Sequence, residues 1–280
     1  MFADPTVPVR AHMPQTTQTV LIVAMAVMAA VSVIYAARES RRRGDLAALF
    51  LVLGAGLAVF YEPLGDTLVK VYYTERGQET WIHAFGLDIP AFIGLLYLWY
   101  MPVGAYVMMR LSERGISQRT WWKIWGGFLT FAISFEMLIL TVGGTTWIYH
   151  GTQAFKVLDV PVLTPFTYVS FVVTIGAGVA AMARFLPRSR HWLIVPAVPM
   201  LMVAGHAMTS LPLAVALHGG TTSEAAVAAG AIGSAVFAVV LSWVTSQAFR
   251  QPWGMRVEEP RRVSAASAVR RPARDIATTT

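Results

Sequence analysis

The chain has 280 residues, of which 56% are hydrophobic and only 13% charged, against about 25% charged in an average soluble protein. A formal net charge of +7 does not point to nucleic acid, because the basic residues lie between long apolar runs instead of forming one basic face. Zero cysteines exclude a disulfide framework, thiolate metal sites, iron–sulfur clusters and a cysteine nucleophile, which leaves carboxylates, histidines and hydroxyls for any chemistry.

A helix crossing the hydrocarbon layer needs about 20 mostly apolar residues. Seven stretches qualify: 19–37, 46–68, 89–110, 121–143, 164–183, 191–217 and 225–247. The expected fold is therefore an all-α integral membrane protein with seven transmembrane helices. The connections 38–45, 110–123 and 184–190, with the tail from Arg250 onward, hold 18 of the 22 Lys and Arg. By the positive-inside rule these segments are cytoplasmic, so the N-terminus lies outside and the C-terminus inside, in a bacterial cytoplasmic membrane.

The first run is followed by Arg38, Arg41, Arg42 and Arg43, which is stop-transfer order and predicts a retained helix. The chain divides into an exoplasmic segment 1–18, a seven-helix domain 19–249 and a basic tail 250–280. The tail is rich in Arg, Ala, Ser, Pro and Thr, lacks apolar periodicity and is expected to be disordered. No internal repeat is visible, which argues against the duplicated halves of many transporters. Trp121, Trp122 and Trp125 beside Lys123 read as an interfacial aromatic belt at the cytoplasmic end of the fourth helix.

Ionisable groups inside a membrane are costly and mark sites. Span two is apolar only from Leu46 to Tyr61, about 24 Å of helix, and must continue through Glu62, Pro63 and Asp66 to cross. Glu62 and Asp66, four residues apart, then share one helical face near the outer boundary, where they are either a working pair or hydrated acids at a helix end. Glu136 lies in an apolar run about 21 Å beyond Trp122, and His206 stands equally far beyond Trp192 in span six. His206 also reads as a core histidine bonded to a neighbouring carbonyl or hydroxyl, with Thr209 and Ser210 one turn on as possible partners. Tyr97, Trp99 and Tyr100 reach a similar depth in span three, either as packing or as substrate contacts.

The long outer loops 69–88 and 144–163 offer a lid, with Tyr72, Tyr73, Gln78, Tyr149 and Gln153 as candidate contacts. The seventh span has no lysine for a retinal Schiff base, and there is no HExxH, phosphate-cradling Gly-rich loop or G-x-S-x-G. No metal site is expected; the outer histidines His83, His150 and His218 lack ligand spacing.

These residues resemble a family. Glu62-Pro63-Leu64-Gly65-Asp66, Tyr72-Tyr73, Gly77-Gln78, Phe85-Gly86, Ile89-Pro90 and the aromatic stretch Tyr97 to Tyr100 are similar to the signature region of the spirocyclase AveC family of actinobacterial membrane proteins. Glu136, then Tyr149, Gly151, Gln153 and prolines 161 and 165, resemble its acidic helix and the loop after it. The family pattern has a basic residue soon after the Phe-Gly pair, where this chain has Leu87 and Asp88. The resemblance implies closure of a polyketide dihydroxyketone into a spiroketal, or dehydration of that ring, with no cofactor.

The residues and the resemblance together predict a cofactor-independent cyclase or dehydratase acting on a lipophilic polyketide-like or terpenoid-like hydroxyketone. Glu136 is expected as general acid, Glu62 or Asp66 as base and partner, and His206 as proton relay. Tyr72, Tyr73, Gln78, Tyr97, Trp99, Tyr100, Tyr149 and Gln153 are the expected substrate contacts. The alternatives are a non-enzymatic binder or transporter of a lipophilic molecule, in which the acids bind a cation or couple protons, and an assembly subunit whose polar residues join helices.

Overall fold

The computed structural model describes residues 11–112, 115–219 and 223–248. Its helices include seven that are long and apolar enough to cross a membrane: Gln15–Arg43, Ala47–Val69, Ala91–Leu111, Gln118–Val142, Pro165–Phe185, Arg188–His218 and Glu224–Ala248. The expected exoplasmic segment is described only from residue 11, and the basic tail 250–280 lies outside the described residues.

Span one is a single helix, α1 (Gln15–Arg43), closed by Gly44 in the left-handed conformation at φ +64°. Arg41, Arg42 and Arg43 fill its last turn, where cations favour the helix dipole. Glu39, buried in the same region, accepts from Arg42 at 2.8 and 2.9 Å and lies 3.9 Å from Arg110 of span three.

Spans two and three are both broken. Span two runs as α2 (Ala47–Ala58), a 3₁₀ turn (Val59–Tyr61) and α3 (Glu62–Val69). Pro63 has no N–H to give the preceding turn, so the α-helix restarts around it, in a first turn that tolerates proline. Span three runs as α4 (Ala91–Tyr97) and α5 (Tyr100–Ser112). There the N–H groups of Leu98 and Trp99 reach back only three residues, and Pro102 cannot supply the next bond. Such breaks persist in a membrane where the freed groups face protein or a cavity.

The fourth span is α6 (Gln118–Val142), capped by the Ser117 hydroxyl accepting from Thr120 N–H at 3.1 Å. It is followed by α7 (Pro165–Phe185), α8 (Ile194–His218) and α9 (Glu224–Ala248). The packed centre is α7 against α8, with α2 and α9 on α8 and α5 on α7. Close approach there requires glycine: a Cβ at Gly205 would stand 2.8 Å from the Phe171 Cα. The Ser170 and Thr209 hydroxyls, 2.8 Å apart, bind α7 to α8.

The tryptophan cluster occupies the first two turns of α6, with Trp122 half-buried and its two neighbours turned inward. Trp121 is buried and its indole N–H donates to Ser242 Oγ at 3.0 Å, which ties α6 to α9. Trp125 is buried as well. An indole with an internal acceptor gains more from packing than from the interface.

The two long loops fold into short antiparallel pairs. β1 (Val71–Tyr73) pairs with β4 (Trp147–Tyr149), β2 (Thr80–Ala84) with β3 (Leu87–Pro90), and β5 (Lys156–Val157) with β6 (Val160–Pro161). The β1–β4 ribbon follows directly on α3 and lies shortly after α6, joining the ends of spans two and four.

Candidate active site

Beneath that ribbon, spans two to six surround a cavity of about 120 Å³. Glu62 and Asp66 from α3, Glu136 from α6 and His206 from α8 all line it. Side chains separated by up to 144 positions in the sequence thus meet around one cavity, whose remaining surface is mostly aromatic and apolar.

Each acid has a different environment. Glu62 accepts two phenolic hydroxyls, Tyr73 on Oε1 at 3.0 Å and Tyr97 on Oε2. Glu136 accepts the Tyr149 hydroxyl on Oε2 at 2.7 Å, and that hydroxyl lies 2.9 Å from the hydroxyl of Tyr168. Asp66 has a buried Oδ2 with no hydrogen-bond partner among the described residues. An unsatisfied buried carboxylate oxygen on a cavity wall is an acceptor held ready for something that enters.

His206 is buried, and its Nδ1 lies 3.0 Å from the Tyr61 hydroxyl. Its Nε2 is buried without a partner among the described residues. Thr209 and Ser210, the expected partners, do not take this role. The Thr209 hydroxyl donates to the Gly205 carbonyl at 2.7 Å and reaches the backbone carbonyl of His206 at 3.2 Å but not its ring, and the Ser210 hydroxyl has no hydrogen-bond partner among the described residues. The Tyr100 hydroxyl is likewise buried and without a hydrogen-bond partner among the described residues.

Strand geometry sorts the loop residues. Register pairs Val71 with Tyr149, Tyr72 with Ile148 and Tyr73 with Trp147. Alternation turns Val71, Tyr73, Trp147 and Tyr149 to the cavity and leaves Tyr72 off it. Burial first, then the charges of Asp66 and Glu62, holds the Tyr73 hydroxyl well above its ordinary pKa. Burial and then Glu136 do the same for Tyr149. Both hydroxyls therefore stay protonated, as donors to their carboxylates.

Of the expected contacts, Tyr73, Tyr97, Tyr100 and Tyr149 line the cavity, whereas Tyr72, Gln78, Trp99 and Gln153 do not. Trp99, just past the break in span three, turns to α1 and donates to Met25 Sδ at 3.2 Å. Gln78 braces the β2–β3 hairpin by donating to the Asp88 carbonyl at 2.9 Å. Gln153 donates to the Val69 and His150 carbonyls, both at 3.1 Å, clamping its loop to the end of span two. Tyr61, Tyr168 and Gly65 are site residues that sequence reasoning passed over. Tyr61 directly precedes the acid pair, which is a usable signal; Tyr168 is a lone tyrosine in an apolar run and offers none.

No cluster of three or more His, Asp and Glu able to hold a metal occurs among the described residues. His83 bonds to Asp88 on the hairpin, and His218 to the Thr67 carbonyl at 2.8 Å.

Fold and cavity together define a helical protein with seven membrane-spanning candidates and a cavity lined by carboxylates, tyrosines and one histidine. Comparisons with protein-family models, with curated proteins and with solved structures find no match to this chain.

Proposed function

We propose that the protein is a membrane-embedded, cofactor-independent cyclase or dehydratase, acting by general acid–base catalysis on a lipophilic hydroxyketone of polyketide-like or terpenoid-like kind. The observation that carries this reading is the pair of buried, unpartnered polar atoms, Asp66 Oδ2 and His206 Nε2, on the wall of a cavity that also presents Glu62 and Glu136. Unpartnered buried polar atoms occur elsewhere among the described residues, as at Ser210 Oγ; what sets these two apart from such atoms is that both line one cavity. The resemblance of the Glu62 to Asp66 and Glu136 to Gln153 segments to the spirocyclase AveC family supports the same chemistry.

Spiroketal closure adds one hydroxyl of a dihydroxyketone to its carbonyl, giving a hemiketal. The hemiketal hydroxyl then leaves with an added proton as water, the second hydroxyl attacks the resulting oxocarbenium carbon, and its proton is taken up. One water is lost and no electrons are exchanged. Glu136 delivers the proton to the leaving hydroxyl, with Tyr149 and Tyr168 as the hydroxyl chain behind it. Asp66, whose Oδ2 is free, takes the proton of the attacking hydroxyl. Glu62, held by Tyr73 and Tyr97, is the fixed negative charge that favours the oxocarbenium ion. His206 contributes Nε2–H to the carbonyl oxygen when Tyr61 donates to Nδ1. Three carboxyl groups around one enclosure repel when all are ionised, a condition that leaves a proton available for transfer. The apolar remainder of the wall excludes water, which would otherwise reverse the closure.

The distribution of basic residues supports an orientation with the arginine-rich connections in the cytoplasm, the β1–β4 ribbon outside and the protein in a bacterial cytoplasmic membrane. A reporter fused after Thr280 that works only in the cytosol should be active; activity only of an exported reporter contradicts the orientation. The function is tested by comparing lipophilic metabolites of a strain lacking the gene with its parent. Accumulation of a hydroxyketone one water heavier than the missing product is the expected result, and an unchanged profile contradicts it.

A further inference from the structure

Of the residues that line the cavity, all but one are buried or partly buried. Phe131 is the exception, at 42% exposed while it also forms part of the wall. It lies on α6, whose backbone packs on α7, α9 and β6 and scarcely approaches α4 or α5. Aromatic rings bridge that space instead. Phe131 lies near-parallel to Tyr100 at 6.1 Å between centroids and to Phe135 at 5.8 Å, and meets Trp99 edge-on at 6.4 Å. One turn toward the start of α6, the Phe128 ring comes within 3.5 Å of where a Gly104 Cβ would stand, which closes the space on that side.

The ribbon end is different. Val71, Tyr73, Trp147 and Tyr149 are all at most 8% exposed, and Gln153 and the strand pairing hold them in place. The polar atoms of the cavity therefore sit behind a buried ribbon toward the loops and behind a single outward-facing ring toward the side.

We infer that the cavity is entered sideways, from the hydrocarbon of the bilayer, through the space between spans three and four, with Phe131 as its swinging door. The ligand is then a molecule that dissolves in the membrane and brings its hydroxyl or carbonyl groups to Asp66 and His206. The inference rests on the reading of the cavity as a ligand site and is independent of the reaction carried out there. A ring held by stacked partners on one side and facing outward on the other can change rotamer without unpacking α6, whereas opening the ribbon breaks strand hydrogen bonds.

The absence of any native cysteine makes the test clean. Ala132→Cys places a thiol on the cavity wall, and Met202→Cys places one on the wall contributed by α8, for use if the first variant fails to fold. Each variant, in lipid nanodiscs that expose both aqueous faces, is reacted with N-phenylmaleimide, which partitions into the bilayer, or with a membrane-impermeant trimethylammonium methanethiosulfonate. Rates are taken relative to the same reagent at Phe85→Cys on the exposed hairpin tip. Lateral entry predicts a relative rate for the apolar reagent at least an order of magnitude above that of the charged one, raised several-fold by Phe131→Ala. Comparable relative rates for the two reagents, an apolar rate unmoved by Phe131→Ala, or no reaction with either overturns it. The readout needs no turnover, so failure of the cyclase reading leaves it intact, and its own failure leaves that reading standing.

Discussion

The Tyr61 hydroxyl and Nδ1 of His206 lie 3.0 Å apart, joining the 3₁₀ break of span two to the middle of span six. With the hydroxyl donating, the imidazole proton sits on Nε2, the nitrogen left unpartnered at the cavity. Gly65 leaves room for the pair, since a Cβ there would stand 3.2 Å from the Tyr61 ring and 3.4 Å from Nδ1. Tyr61→Phe removes the hydroxyl that fixes the tautomer. Turnover should fall on the order of tenfold, the equivalent of one hydrogen bond of about 1.4 kcal/mol. Nitrogen-15 spectra of labelled histidine should show His206 losing its preference for the Nε2–H form; an unchanged tautomer ratio contradicts the assignment.

The acids of span two should differ in what their loss does to stability. Asp66→Asn removes a base without breaking any hydrogen bond of the Oδ2 atom, so turnover drops by about 10²-fold or more while stability holds. Glu62→Gln instead turns an amide N–H₂ toward a tyrosine hydroxyl that had been donating, and should cost about 1–3 kcal/mol of stability as well as activity. Thermal unfolding of the two variants side by side separates them; equal losses of stability count against the distinct roles.

Much of the architecture was legible because a membrane helix is written as an apolar run of fixed length, and a charge inside such a run has few reasons to be there. Depth counting from Trp122 and Trp192 brought Glu136 and His206 to the level of Glu62, and they line the same cavity. Three things were not legible. Three-residue strands carry too little pattern to reveal β1 and β4, yet their register alone decides that Tyr73 faces the cavity and Tyr72 does not. The acceptor of Trp121, Ser242, is 121 positions away and no local pattern points to it. Trp99 lies between two cavity tyrosines, and only the break around Leu98 turns it to the other side. Pro102 was the available sign of that break.

The β2–β3 hairpin is seated on span three through one glycine. A Cβ at Gly94 would stand 2.0 Å from the Trp81 ring, so Gly94→Ala must displace the indole or the hairpin. The expected cost is about 1–3 kcal/mol, the usual range for overpacking. The double variant Gly94→Ala with Trp81→Ala should recover most of the loss in thermal unfolding. Additive losses contradict the contact.

Alkaline titration offers an independent view of the ribbon. Burial, followed by nearby carboxylates, raises Tyr73 and Tyr149 well above the ordinary tyrosine value, and burial with Glu75 pushes Tyr72 up to about 12. In the unfolded chain these groups release protons near pH 10. Above that pH the folded chain binds more protons than the unfolded one, so stability is fully present below about pH 10 and declines as pH rises through the folded values. Phenolate absorbance should show at least three tyrosines silent at pH 11 in the folded protein. Release of all nine by that pH contradicts the buried ribbon.

The most direct test of the account is the metabolite profile of the gene-deletion strain carrying Glu136→Gln. The amide oxygen can still accept the Tyr149 hydroxyl that now reaches Oε2 at 2.7 Å, so the protein should fold and accumulate normally. It has no proton to give to a leaving hydroxyl. The account predicts that the strain accumulates the uncyclised hydroxyketone as fully as the deletion does, with the product restored only by the wild-type gene. Normal product from Glu136→Gln at wild-type protein levels would contradict it.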